Sequence, residues 1–264
     1  MRILIIGNSL DKVGGLSFYN TESKLALGLI RRGHLVHLFS AREFSKTNSL
    51  FGFQRNREDV ADKKFFDLVG SLKPELIIFT YSCAVSTKAL MNYIREHPSV
   101  RLAQICPDIL ADQKNIAKLK ERSTITHATF VTTAGSVLNQ FLINSNRVAY
   151  IPNPVDSSIE THRAFEFDDQ EFDVFWAART NVGKFENDPR ETFATAIRQS
   201  GDITISWYGS GGAAPVFGTD YYLALARAKM ALNINADHLG PQGRASLPHE
   251  IYHYSSARVA QVIG

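Results

Sequence analysis

Short apolar runs alternate with amphipathic stretches along the first 154 residues. Ile3–Ile6, Leu35–Ser40, Glu75–Thr80, Arg101–Ile105, Ala128–Thr132 and Val148–Ile151 are rich in Ile, Val, Leu and Phe. They are apolar on both faces, as strands buried in a parallel sheet are. Helical spacings lie between them. Residues 16–32 place Leu25, Ala26, Leu29 and Ile30 on one face, and residues 57–72 do the same with Val60, Phe65, Leu68 and Val69. Further helices are expected over 87–96, 112–122 and 136–143. This alternation predicts a doubly wound α/β sheet.

Pro152-Asn153-Pro154 interrupts the pattern, and residues 155–171 are polar, acidic and aperiodic, as a linker is. The alternation then restarts. Strands are expected over 172–177, 203–207, 230–234 and 258–263, and helices over 191–200, 220–228 and 248–254. Two α/β domains follow, over 1–154 and 155–264. The sequence stops straight after a strand, so the second domain is expected to be incomplete.

Composition adds little to the class but something to the surface. The chain is 44% hydrophobic and 21% charged, ordinary for a globular protein, and no apolar run reaches the ~20 residues of a membrane span. The apolar part of MRILIIGNS is too short for a secretory leader and reads as a first strand. Cys83 and Cys106 have no metal or redox spacing and are expected as buried thiols in a reducing cytoplasm. The net charge of +3 hides an asymmetry: residues 1–154 carry 20 Lys and Arg against 12 Asp and Glu, and the remainder carry 9 against 14. A basic first half suits phosphates or acidic lipids; a solvated surface without a partner accounts for it equally. Dispersed cations without interleaved aromatics disfavour nucleic acid.

Several motifs bear on chemistry. GNSLDKVGG (7–15) lacks the G-x-G-x-x-G spacing, and Ser40 and Ala41 stand where a ribose-binding acid would be, so a dinucleotide oxidoreductase is disfavoured. Gly14 and Gly15 permit a close backbone approach before a helix whose N-terminus favours anions. A plain strand-to-helix turn is the other reading. Gly33 suits the left-handed position beyond a helix end, with His34 structural. In Trp207-Tyr-Gly-Ser-Gly-Gly212, the glycines, Gly209 among them, leave room for a base or ribose that Tyr208 contacts; a flexible loop is the alternative. His249 and His253 share a helical face but lack a third ligand, so no metal site is expected.

The opening, RILIIG followed by a glycine pair and RGHLV, resembles the start of family-4-like glycosyltransferases of the GT-B class. IPNPVD (151–156) resembles their I-P-N-G-V-D junction, with Pro154 in place of glycine. GTDYYLALARAKMALNIN (218–235) resembles a segment of CgeB-like members. The resemblance implies two Rossmann-like domains facing a central cleft. It also implies transfer of a sugar from a nucleotide-diphosphate donor to a hydroxyl of a glycan or lipid-linked acceptor, as in polysaccharide biosynthesis. By position it puts Asn153 at the hinge, Arg179 and Lys184 on the donor diphosphate, and Glu250, with Arg244 a weaker match, on the ribose. Arg190 is expected to pair locally or touch the donor. Asp108 remains where relatives carry His-Asp; it is a base or an N-cap. No cofactor or metal is implied. The basic helix 112–122 would set the first domain against an acidic membrane on the cytoplasmic side. A non-catalytic protein binding sugar nucleotides or polysaccharide is the competing reading. The sugar, the base and the stereochemistry stay open.

Overall fold

The computed structural model describes residues 1–7, 19–40, 57–80, 83–110, 113–166, 168–178 and 189–234. They form two α/β units, the first over Met1–Pro154 and the second beginning at Val155. Each is built on a wholly parallel sheet. The chain thus has the α/β, two-unit Rossmann-like architecture expected of a GT-B protein.

The first unit contains β1 (Arg2–Ile6), α1 (Thr21–Arg31), β2 (Leu35–Phe39), α2 (Arg57–Leu72), β3 (Leu76–Thr80), α3 (Thr87–Glu96), β4 (Arg101–Cys106), α4 (Gln113–Ser123), β5 (Ala128–Val131) and β6 (Arg147–Tyr150). The strand order is β2-β1-β3-β4-β5-β6. Alternate residues of β1 explain its unbroken apolar sequence. Leu4 and Ile6 join Phe65, Val69, Leu90 and Tyr93 on the face covered by α2 and α3. Ile3 and Ile5 join Ala26, Leu25 and Leu29 of α1 on the other. Burying both faces makes the period-2 signal vanish and leaves a continuous run.

Local signals set the helix ends. Asn20 caps α1, its side chain accepting from the Ser23 amide at 2.8 Å. At the other end Gly33 has φ +79°. Its amide bonds to the Ile30 carbonyl at 2.8 Å, and the His34 amide to the Leu29 carbonyl at 3.2 Å. This is a Schellman closure, which a left-handed glycine allows. The segment expected as a helix over 136–143 is a short 3-10 helix, Ser136–Phe141. It stops because Asn144 and Ser145 are left-handed and because Asn146 bonds through its side chain to Ile143 N and Phe141 O.

His127 Nδ1 accepts the Leu102 amide at 3.1 Å, joining the turn before β5 to β4. Partial desolvation of the ring, though the residue is exposed, and the nearby Arg101 lower its pKa. A depressed folded-state pKa means that the unfolded chain binds more protons in this range. The stabilisation is therefore full above the unfolded histidine value of about 6.5. It is lost as pH falls through the lower folded value. A histidine-resolved NMR titration should place the His127 midpoint below the ordinary histidine value of about 6.5. His127→Gln should flatten the acid-side fall in urea stability.

The second unit contains β7 (Phe172–Ala178), α5 (Pro189–Ser200), β8 (Ile205–Gly209), α6 (Gly218–Ala226) and β9 (Ala228–Ala231), in the order β8-β7-β9. Trp176 and Trp207 meet with ring centroids 4.9 Å apart on the face that also buries Ala194 of α5. Phe175 packs edge-on to Tyr221 of α6 on the opposite face. Asp173, at the start of β7, bonds to Thr204 before β8 and Lys229 on β9, which hold its carboxyl well below the usual range. The three strands are thereby tied at their amino ends.

Candidate functional site

Ligands of open α/β sheets bind outside the carboxyl ends of the strands, where the strand order reverses. In the first unit that point lies between β1 and β3. The chain leaves β1 at Gly7, whose amide extends the ladder to Phe39 O at 3.1 Å. Gly14 and Gly15 come next in sequence and lie outside the described residues. The carboxyl side chain of Glu22, in the first turn of α1, occupies the space beside Gly7. A Cβ on Gly7 would stand 2.4 Å from Glu22 Cγ and 2.6 Å from Oε1, so a larger residue there requires the Glu22 side chain to move. Glu22 is only 7% exposed.

At the end of β3 the chain is held by two helices. The guanidinium of Arg122, on α4 and 1% exposed, donates to the carbonyls of Cys83 at 3.1 Å, Val85 at 3.0 Å and Thr80 at 3.5 Å. It also lies 5.2 Å from the centre of the Phe79 ring. Lys118 Nζ donates to Cys83 O at 3.3 Å; burial, with Arg122 beside it, lowers its pKa. From α2, Asp62 accepts from both the amide and the hydroxyl of Ser86, the N-cap of α3. Two basic residues on α4, Lys118 and Arg122, therefore point inward. Of its four cations, Lys114 and Lys120 are exposed, whereas Arg122 is buried and Lys118 half-buried.

Asp108 follows β4 and is exposed; its carbonyl accepts from Cys106 Sγ at 3.4 Å. It does not stand next to α4, which begins at Gln113, so the N-cap reading fails on position. Asn153 is 5% exposed, just after Ile151, whose amide bonds to Val131 O at 2.9 Å. Its side chain is therefore packed into protein. Both thiols are buried as expected, and burial pushes Cys106 up to about 12 and raises Cys83 as well. They are not reactive nucleophiles.

Beyond Pro154 the chain is anchored to the second unit. Glu160 accepts the Asp156 amide at 2.8 Å and the Tyr222 hydroxyl at 3.0 Å. Asp156 in turn accepts from the Ser158 amide and hydroxyl. This self-capped turn explains why an acidic, aperiodic stretch is ordered at its start.

In the second unit the order reverses at β7, between β8 and β9. The chain leaves β7 at Ala178; Arg179 and Lys184, next in sequence, lie outside the described residues, as do Arg244 and Glu250. Arg190 is buried in the first turn of α5. Tyr208 is partly exposed at the end of β8, its ring 6.0 Å from that of Phe175. Gly209 has φ +93°, and a Cβ there would approach Ala178 O to 2.2 Å. The following glycines do not hold open space: a Cβ on Gly211 or Gly212 would meet the Trp207 indole at 2.8 or 2.5 Å. The loop folds over that ring, whose Nε1 donates to Ser210 O at 2.9 Å, while Arg198 covers it 4.8 Å from its centre. Gly212→Ala should lower unit-two stability by about 1–3 kcal/mol through overpacking, read as an earlier loss of tryptophan fluorescence in urea.

Glu22, Asp62 and Arg122 are absent from the sequence-derived site. Arg122 carried a faint signal, since it follows Leu119 by three residues and Ile116 by six on the apolar stripe of α4. Among the described residues no His, Cys, Asp and Glu group could hold a metal ion, and no helix is long and apolar enough to cross a membrane.

No protein-family model and no curated protein sequence matches the chain. Solved structures give weak likenesses. A UDP-GlcNAc 2-epimerase from Neisseria meningitidis, bound to UDP-GlcNAc, is 12% identical at a TM-score of 0.46. The alignment covers 79% of this chain and 65% of that one, so the chain spans slightly under two thirds of the epimerase. The Streptomyces sp. SF2575 glycosyltransferase SsfS6, complexed with thymidine diphosphate, is 9% identical at a TM-score of 0.46, over 92% and 77% of the two chains. The spinosyn forosaminyltransferase SpnP is 9% identical at 0.39, over 89% and 70%. At these values the likenesses decide neither kinship nor activity.

Proposed function

We propose that the protein transfers a sugar from a nucleotide-diphosphate donor to a hydroxyl of a glycan or lipid-linked acceptor. One observation carries this reading. The acidic half folds as a separate parallel sheet in which β7 is central, so the reversal point lies at its carboxyl end, at Ala178. Arg179 and then Lys184 come next in the sequence, the cations expected on a diphosphate. Tyr208 and Gly209 end the neighbouring strand, paired with Ala177 and Ala178. Donor phosphates belong here, with the base toward Tyr208, the ribose on Glu250 and Arg244, and the acceptor on the first unit with Gly14, Gly15 and Asn153.

Thermal melts with UDP, TDP and GDP test it. A ligand of the native state raises the midpoint by mass action. One nucleotide diphosphate should raise it by several degrees, and Arg179→Ala should abolish the shift. A shift unchanged in Arg179→Ala would move the phosphates elsewhere. Vesicles containing acidic lipid test the membrane component separately: flotation of the protein at low salt supports it, and none at any lipid charge contradicts it.

A further inference from the structure

Three helices of the first unit surround one open cavity of about 730 Å³, within the range of roughly 300–1,000 Å³ usual for small-molecule sites. Its two sides differ in charge. α2 lines it with Glu58, Asp59 and Asp62, whereas α4 lines it with Lys114, Lys118 and Arg122, and the first turn of α3 adds Lys88. The cationic side is short of negative charge. The Arg122 guanidinium donates only to main-chain carbonyls, and its Nε has no partner. Lys118 likewise donates to a carbonyl, that of Cys83. Burial and then Arg122 oppose the Lys118 charge, and Glu58 and Glu121 offset them only in part, since its pKa is lowered on balance. Asp62 is engaged elsewhere, both its oxygens accepting from Ser86. The start of α3 adds main-chain amides that have no acceptor within the helix. An anion here meets charge-assisted donors. The α2 side suits another group: Glu58 and Asp59 are exposed carboxylates, which repel a second anion and accept hydrogen bonds from hydroxyls.

We propose that this cavity binds a phosphorylated saccharide, its phosphate on Lys118, Lys88 and the start of α3 and its hydroxyls on Glu58 and Asp59. The same chemistry occurs in a free hexose phosphate and in a lipid headgroup whose phosphate carries a polyol ring. The donor phosphates proposed above lie on the second unit, so this site neither needs the transfer reading nor is needed by it.

Calorimetry at low salt compares glucose 6-phosphate, inorganic phosphate and glucose on wild type, Lys118→Gln, Lys88→Gln and Asp59→Asn. Glucose 6-phosphate should bind wild type, inorganic phosphate more weakly and glucose not measurably. Lys118→Gln removes the charge but keeps a donor near the Cys83 carbonyl, which Arg122 also serves, so its thermal midpoint should stay near that of wild type. It should weaken glucose 6-phosphate by about tenfold or more. Lys88→Gln, at an exposed position, should act in the same direction and stands in should Lys118→Gln unfold. Asp59→Asn should lower the preference for glucose 6-phosphate over inorganic phosphate. Vesicles containing phosphatidylinositol, set against phosphatidylserine at equal charge, separate the two sources. Flotation with the first alone, abolished in the lysine variants, assigns the lipid headgroup; calorimetric binding of glucose 6-phosphate assigns the free compound. Unchanged affinity in both lysine variants, or inorganic phosphate binding as tightly as glucose 6-phosphate, overturns the proposal. So does binding of neither glucose 6-phosphate nor phosphatidylinositol vesicles. Nucleotide binding should be the same in Lys118→Gln as in wild type, so this site and the donor site can each fail alone.

Discussion

Arg122→Met should destabilise the first unit by about 1–3 kcal/mol, through the loss of a buried donor. The methionine fills much of the volume, but it removes one donor from each of three main-chain carbonyls, those of Thr80, Cys83 and Val85; Thr80 O keeps the Cys83 amide at 3.0 Å and Cys83 O keeps Lys118 Nζ at 3.3 Å, so Val85 O is left with only the Cys83 thiol. Each buried group left unpaired costs about 1–3 kcal/mol. The loss is partly offset, since the guanidinium is buried without a carboxylate in hydrogen-bond contact, and removing it relieves that desolvation. Lys118 can also swing toward Cys83 O, which it already touches. Urea unfolding followed by circular dichroism gives the stability. Thiol labelling in a Cys106→Ala background then localises the damage, since Cys83 lies in the released segment and should become reactive well before global unfolding. A variant as stable as wild type, with Cys83 still shielded, would show that the loop is held by Asp62 alone.

Gly209→Ala should cost the second unit about 2–4 kcal/mol. Two penalties add: a left-handed φ of +93° in a residue with a Cβ, about 1–2 kcal/mol, and a contact at 2.2 Å with the Ala178 carbonyl that only backbone movement can relieve. That movement would part the ends of β7 and β8 and break the Ser210 amide bond to Ala178 O. Both tryptophans lie on these two strands, one above the other in register at Trp176 and Trp207. Their fluorescence therefore reports this unit and not the first. The expected result is an earlier tryptophan transition in urea. An unchanged transition would mean that the turn relaxes without disturbing the strand ends.

The sheet architecture was legible because burying both strand faces leaves unmistakable apolar runs. β1 and β7, with α2 and α3, lie where the pattern puts them. Errors sit where a tertiary contact shifts an end. β9 starts at Ala228, two residues before the expected strand, because Phe172 bonds to Arg227 O and pairs with Ala228 immediately after α6 ends. β8 starts at Ile205, two residues after it, because Thr204 is engaged by Asp173. The site was less legible. A cation on an amphipathic helix reads as a solvated face, so nothing but spacing hinted that Arg122 turns inward. A glutamate in a first helical turn reads as dipole compensation, and its place over Gly7 depends on how α1 crosses the end of β1. The WYGSGG glycines illustrate the opposite error: small residues suggested room for a ligand, yet the room is filled by the indole two positions earlier in the same segment.

The central claim is that a nucleotide-diphosphate sugar binds at the carboxyl end of β7. Trp176 and Trp207 stand two residues before the ends of β7 and β8, close enough for a ligand there to alter their emission. Titrating the protein with UDP-, TDP- and GDP-glucose should give a saturable fluorescence change for one of them, accompanied by heat in calorimetry at the same concentration, and both signals should vanish in Arg179→Ala. Absence of saturable fluorescence and heat with all three donors, or full binding by Arg179→Ala, would contradict it.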